Sequence, residues 1–200
     1  MKSVLMSIQP YWGFLIIAEA KGWDLNKYNL RKKTVELRKR LPIDKDWDRS
    51  VLLYFSKDTK SLKRVPEEYR GEVKKLLGKV VCVFNCDKVF DFLPYKMYEG
   101  KVTFHYDVCK AKEDTGLSWQ EFCDYLGDSY GYGLHIDKLR MFSEPVDLEE
   151  FDKACGMNCV LCRFYSSGNR WEPPTCNLEY ENMLRRPPQS WCYIMPYWGI

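Results

Sequence analysis

Three polar residues, Lys33, Glu36 and Arg38, stand within six positions of one another in the run Lys33-Thr34-Val35-Glu36-Leu37-Arg38. Read as a strand, the run puts Val35 and Leu37 on one face and Thr34, Glu36 and Arg38 on the other. An acid and a base are then held side by side on a rigid element, with Lys33 at its mouth. Arg38 can give a planar, two-pronged contact to a phosphate or a base edge. Glu36 can accept from an exocyclic amine such as that of cytosine. Lys33 supplies a mobile charge, or a base if burial lowers its pKa. The plainer alternative is that Glu36 and Arg38 pair with each other while Lys33 stays solvated.

A second constellation lies in the last quarter of the chain. Cys155, Cys159 and Cys162 are spaced C-x3-C-x2-C, Cys176 follows, and Cys192 comes later still. The C-x2-C step is the usual metal knuckle, because two thiolates from one tight turn reach one ion. Four of these five thiols suffice for a structural zinc, with Cys159, Cys162 and Cys176 as the core of the set. An iron–sulfur cluster would use the same ligands. The alternative is buried thiols with no metal. Cys82, Cys86, Cys109 and Cys123 stand apart and read as small packed residues.

The elements that position these groups follow from pattern. Residues 4–8 read as a buried strand, and Pro10 opens a helix in which Trp12, Leu15 and Ile16 recur at helical spacing. Residues 20–30 lack a period and read as a loop. Residues 34–38, 51–55 and 80–84 read as strands, and 57–68 as a lysine-rich loop. Ser118 with Glu121 makes a capping box for a helix through Phe122, Tyr125 and Leu126, with Leu117 stapling its start. Residues 130–133 read as a turn, 134–142 as a strand, 147–151 as a short acidic segment and 191–195 as a last strand. Many short strands with few helices predict an α+β chain built around a small, mostly β barrel. Residues 1–151 would form this domain, and 152–200 a cysteine-rich segment that returns as the last strand.

Composition narrows the partners. The chain has 200 residues and a net charge of +3, but residues 1–80 carry a balance of +9 and residues 81–200 one of −6. A one-sided positive field attracts phosphate backbones. Aromatic residues make up a high 16% of the chain; packing is their first use, and stacking on bases or on a partner is a second. No apolar run approaches the roughly 20 residues of a membrane span, so no membrane partner is expected. The start of the chain lacks a signal pattern, and a reducing, cytoplasmic setting is expected.

The strand–Pro–helix start Ser7-Ile8-Gln9-Pro10, followed by the Lys33 to Arg38 run, resembles the ASCH family of PUA-like domains, whose signature is Gly-x-Lys-x-x-Glu-x-Arg after the first helix. Residues 78–84 resemble that family's central barrel strand. Tyr132 to Ile136, with Leu139, Pro145, Leu148 and Phe151, resembles its closing strand and tail. The likeness covers residues 2–151 in patches, and residues 186–193 look like the ending of bacterial and phage members that carry a cysteine cluster.

The resemblance implies a PUA-like barrel whose cleft is lined by Lys33, Glu36 and Arg38. Arg31 and Thr34 would lie beside them, and His135 would close the barrel nearby. RNA or a modified nucleoside is the implied ligand. If the chain is an enzyme, Lys33 and Glu36 are the catalytic candidates, as a hydrolase of N(4)-acetylcytidine type or a ribonuclease. Amidohydrolase relatives use Lys-x-x-Thr, and Glu36 occupies the threonine position, which weakens that reading. Arg31 stands where the family has glycine, and residues 21–30 are an insertion. A third reading is a protein-interaction module whose surface is the insertion (Trp23, Tyr28) and the tail (Tyr197, Trp198).

Overall fold

The structure is a computed structural model; it describes residues 2–41, 47–92, 94–96, 102–104, 113–151 and 188–194, with the backbone alone at 94–96 and 102–104. Strand β1 (Lys2–Ile8) runs into helix α1 (Pro10–Ile17), which has Pro10 in its first turn. Seven of the eight α1 residues are buried, so this helix is apolar all round and lies within the core rather than on its surface. It seats directly on β3 (Trp47–Phe55), because a Cβ at Gly13 would stand 2.4 Å from the Phe55 ring. Strand β2 (Val35–Arg38) lies between them in sequence.

Four further strands follow residues 59–75: β4 (Lys79–Asn85), β5 (Val89–Phe92) and the pair β6 (Pro94–Lys96) and β7 (Val102–Phe104). After helix α4 (Trp119–Leu126) come β8 (Gly131–His135), β9 (Asp137–Asp147) and β10 (Trp191–Ile194). The main sheet has the order β10-β1-β3-β4-β9, and a second sheet has the order β2-β8-β5. β1 and β3 are parallel, and every other pair in these sheets is antiparallel. The apolar core lies between the sheets and α1, uniting Met6, Phe14, Leu53, Phe84 and Leu134. The predicted α+β class and the strand at 191–194 are thus present.

Three expectations are corrected. Residues 57–68 are not a loop: Asp58 caps helix α2 (Thr59–Leu62) by accepting from the Lys60 and Ser61 N–H groups, and α3 (Glu67–Lys75) follows. The glycines at 131 and 133 do not make a turn. They lie in β8, where a Cβ at Gly133 would stand 2.7 Å from both Phe92 and Val35. The single strand expected at 134–142 is two, because the chain leaves β8 at Ile136 to start β9. The insertion at 21–30 is held down by aromatic packing. Trp23 stacks on Phe14 and Tyr69, and Tyr28 meets Tyr69 edge-on. The Trp23 and Tyr28 rings both help hold the fold and stay partly exposed.

The capping box of α4 is present in full: Ser118 accepts from the Glu121 N–H, and Glu121 accepts from the Ser118 N–H. Cys82 and Cys86 are buried, as small packed residues should be, and burial pushes the Cys86 thiol up to about 11. Among the described residues no helix is long and apolar enough to cross a membrane.

Candidate ligand cleft

All four residues of β2 are buried, not only its apolar pair. Leu37 packs with Phe92, Phe122 and Leu126, while the polar face is covered from the other side. Lys33, Glu36 and Arg38 are only 2%, 5% and 8% exposed. Charges that deep persist only when paired, and here they pair with one another. The Lys33 Nζ lies 3.3 Å from Glu36 Oε2, and the Arg38 Nη2 lies 2.7 Å from Glu36 Oε1. Each carboxylate oxygen therefore faces its own cation.

The cations reach further. Lys33 donates to the Thr115 carbonyl at 2.7 Å, on the segment that leads into α4. Arg38 donates to the Ser7 carbonyl of β1 at 2.8 Å and to Ser190 Oγ at 3.4 Å. Ser190 in turn accepts at its carbonyl from the Ser7 N–H. Burial lowers the Lys33 pKa below its ordinary value, Glu36 works against that shift, and Arg38 adds to it. The expected alternative with a solvated Lys33 is thereby corrected: both cations share the one carboxylate.

These groups form the floor of a cleft of about 640 Å³, within the range of sites for small ligands. Its walls come from separate elements. Ser7, Ile8 and Gln9 come from the end of β1, Trp12 from α1, and Ser56 and Asp58 from the segment between β3 and α2. Glu121, Asp124 and Tyr125 come from α4, and Gln189 and Ser190 precede β10. The Trp12 ring has the Lys33 ammonium 5.6 Å from its centroid and the Arg64 guanidinium 4.8 Å away. Arg64 also bonds Glu121 at 2.8 Å, tying the α2 side of the cleft to α4.

Other expected site residues lie elsewhere. Arg31 is exposed and its guanidinium is 3.9 Å from Glu113. Thr34 is held by its backbone N–H to the Asp114 carbonyl and does not line the cleft. His135 is not a cleft residue either; its Nδ1 pairs with Asp87 Oδ1 at 2.6 Å, and that bond lowers the Asp87 pKa. Of the cysteine cluster, Cys155, Cys159, Cys162 and Cys176 lie outside the described residues, as do Tyr197 and Trp198. Cys192 is on β10, partly buried beside Leu5 and Leu52. Among the described residues no group of three or more His, Cys, Asp or Glu side chains could hold a metal.

Sequence reasoning missed Trp12, Ser56, Asp58, Asp124, Tyr125 and Ser190. Only Asp58 carried a local signal, a side chain two residues before Lys60 that is able to cap a helix.

Lys33 gives this network a pH signature. Its folded pKa is depressed, so the folded state resists the charged form. The unfolded chain binds the extra proton between the depressed value and about 10.5. Wild-type stability relative to Lys33→Met should therefore rise as pH climbs from 8 toward 10.5. Urea unfolding of both proteins across that window measures it, and a flat or falling difference would contradict the burial described.

Comparison with known proteins bears on the fold. No protein-family model matches the chain, and no curated protein matches it. Among solved structures, a serine-to-alanine variant of ZmASCH from Zymomonas mobilis superposes with a TM-score of 0.51 at 14% identity, covering 96% of this chain and 87% of that one. A second structure, of ASCH from Zymomonas mobilis, gives 0.45 at 15% identity, over 87% and 84% of the two chains. Among the described residues, three sheets and four α-helices thus make up a fold similar to that of ZmASCH, with the buried Lys33–Glu36–Arg38 run on and just before its second strand.

Proposed function

We propose that the cleft recognises RNA or a modified nucleoside. The observation that carries this is the paired floor of Lys33, Glu36 and Arg38 beneath walls that include Trp12 and Tyr125. Fixed polar groups under aromatic rings suit a nucleobase, which offers a hydrogen-bonding edge and a flat face. Exposed Lys57, Lys60, Lys63, Lys74 and Lys75 on and around α2 and α3 belong to the basic half of the chain and suit a phosphate backbone. In this reading the protein works in the cytoplasm.

Hydrolysis is the second reading, and the depressed pKa of Lys33 favours it, since such an amine can act as a base. Against it, Glu36 has both oxygens engaged by cations and is not poised as a nucleophile. Recognition without turnover therefore stands first.

The cysteine-rich segment is proposed to hold one structural zinc. Cys192 packs against an apolar cluster, which supports Cys155, Cys159, Cys162 and Cys176 as the four thiolates. When bound, zinc would supply cross-linking of a segment poor in periodic apolar residues. Elemental analysis should give about one equivalent of zinc, lost in Cys159→Ser and kept in Cys192→Ser. Loss in Cys192→Ser would reassign the ligands, and absence of metal from freshly purified protein would remove the site.

For the cleft, a single-stranded RNA oligonucleotide should bind at low salt, more weakly as salt rises, and at least about tenfold more weakly to Lys33→Met and Arg38→Met. Absence of binding by the wild type at low salt would overturn the reading. Product release from RNA or N(4)-acetylcytidine that disappears in Lys33→Met would replace it with the hydrolase.

A further inference from the structure

We infer that the cleft takes an uncharged base edge, read by the Ser56 hydroxyl and the Arg38 Nε, and keeps phosphate outside. This rests on the functional reading above and specifies which part of a nucleic acid enters.

Ser56 follows the last residue of β3 and is fixed by its backbone N–H, which donates to the Ile8 carbonyl at 2.8 Å. Its Oγ is buried and has no hydrogen-bond partner among the described residues. The same holds for the Nε of Arg38, a residue 8% exposed whose other nitrogens are bound to Glu36, Ser7 and Ser190. Folded proteins pair nearly all such groups, because an unpaired buried donor or acceptor loses its water without replacement. Both residues line this one cleft, and each atom, closed to water in the structure, meets a ligand only after its side chain turns toward it. A guanidinium Nε can only donate, and a hydroxyl can donate or accept. A ligand edge with one acceptor beside a second polar atom satisfies both, as a base carbonyl or ring nitrogen with its neighbour does.

Charge selects the rest. The lining residues include two cations, Lys33 and Arg38, against four carboxylates, Glu36, Asp58, Glu121 and Asp124. The cations already share Glu36. Glu121 is partly offset by Arg64 from outside, and Asp58 by the α2 amides it caps. Among the described residues Asp124 has only the Gln120 side-chain amide, which donates to it at 2.7 Å. A phosphate placed here would face uncompensated like charge. A neutral base would not, and the exposed Lys57 and Lys60 flank Asp58 in sequence, where a backbone leaving the cleft can use them.

Calorimetric titration with the four ribonucleosides and their 5′-monophosphates tests this, using wild type, Ser56→Ala and Asp124→Asn. At least one nucleoside should bind the wild type, and its monophosphate about fivefold or more weaker; Ser56→Ala should weaken the nucleoside by about fivefold. Asp124→Asn should narrow the gap between nucleoside and monophosphate. Ser56→Ala should melt no lower than wild type, since its hydroxyl has no partner to lose. Unchanged nucleoside affinity in Ser56→Ala, or tighter binding of the monophosphate by wild type, would overturn the inference. A wild type that binds RNA but none of these probes would overturn it while leaving the functional reading in place. A wild type that binds neither would overturn both.

Discussion

The Glu36 carboxylate organises this molecule. It is one of three charges taken almost wholly out of water on and just before the four-residue strand β2, and both of its oxygens are committed. Alone, any of the three would cost several kcal/mol to bury, and removing one partner from such a group typically costs about 3–5 kcal/mol. Together they cross-link regions far apart in sequence. Arg38 reaches the end of β1 and the residue before β10, and Lys33 reaches the segment that opens α4. The position of α4 and the docking of the chain's return at Ser190 thus depend on cations that need Glu36 to remain buried. The cleft is the space left above that floor.

The same geometry bears on the proposed choice between recognition and catalysis. A general base or nucleophile needs a free lone pair directed at the ligand. The pairing of Glu36 commits both oxygens of that carboxylate to cations, which leaves Lys33 as the remaining candidate base. What remains available are the rings of Trp12 and Tyr125, the polar atoms of the walls and the acidic rim. The positive charge of the first eighty residues is carried outside, on exposed lysines of the α2 and α3 region. On the proposed reading, a basic exterior around an acidic cleft would distinguish backbone from base, which a uniformly basic groove would not.

Much of the positioning scaffold was legible in the sequence, because it rests on local chemistry. Pro10 starts α1, Ser118 and Glu121 box the start of α4, and the alternation at 35–38 marks β2. Where local pattern gave way to tertiary packing, the sequence misled. The lysines of 57–68 suggested a loop, although Leu62, Val65, Tyr69, Val73 and Leu76 recur at helical spacing and are all buried. Gly131 and Gly133 suggested a turn, but Gly133 is demanded by Phe92 and Val35 on a strand. Lys33 was expected at the cleft mouth, yet it precedes β2 and folds back three residues to meet Glu36. Ser190, 152 residues from Arg38, offers no local signal at all.

The central claim is that Glu36 and Arg38 act as a coupled, buried pair. A double-mutant cycle on folding stability, with Glu36→Gln, Arg38→Met and the two combined, measures that coupling with all else held constant. The account predicts that the combined variant is less destabilised than the sum of the single ones, by about 2 kcal/mol. Additive effects, agreeing within about 0.3 kcal/mol, would contradict it.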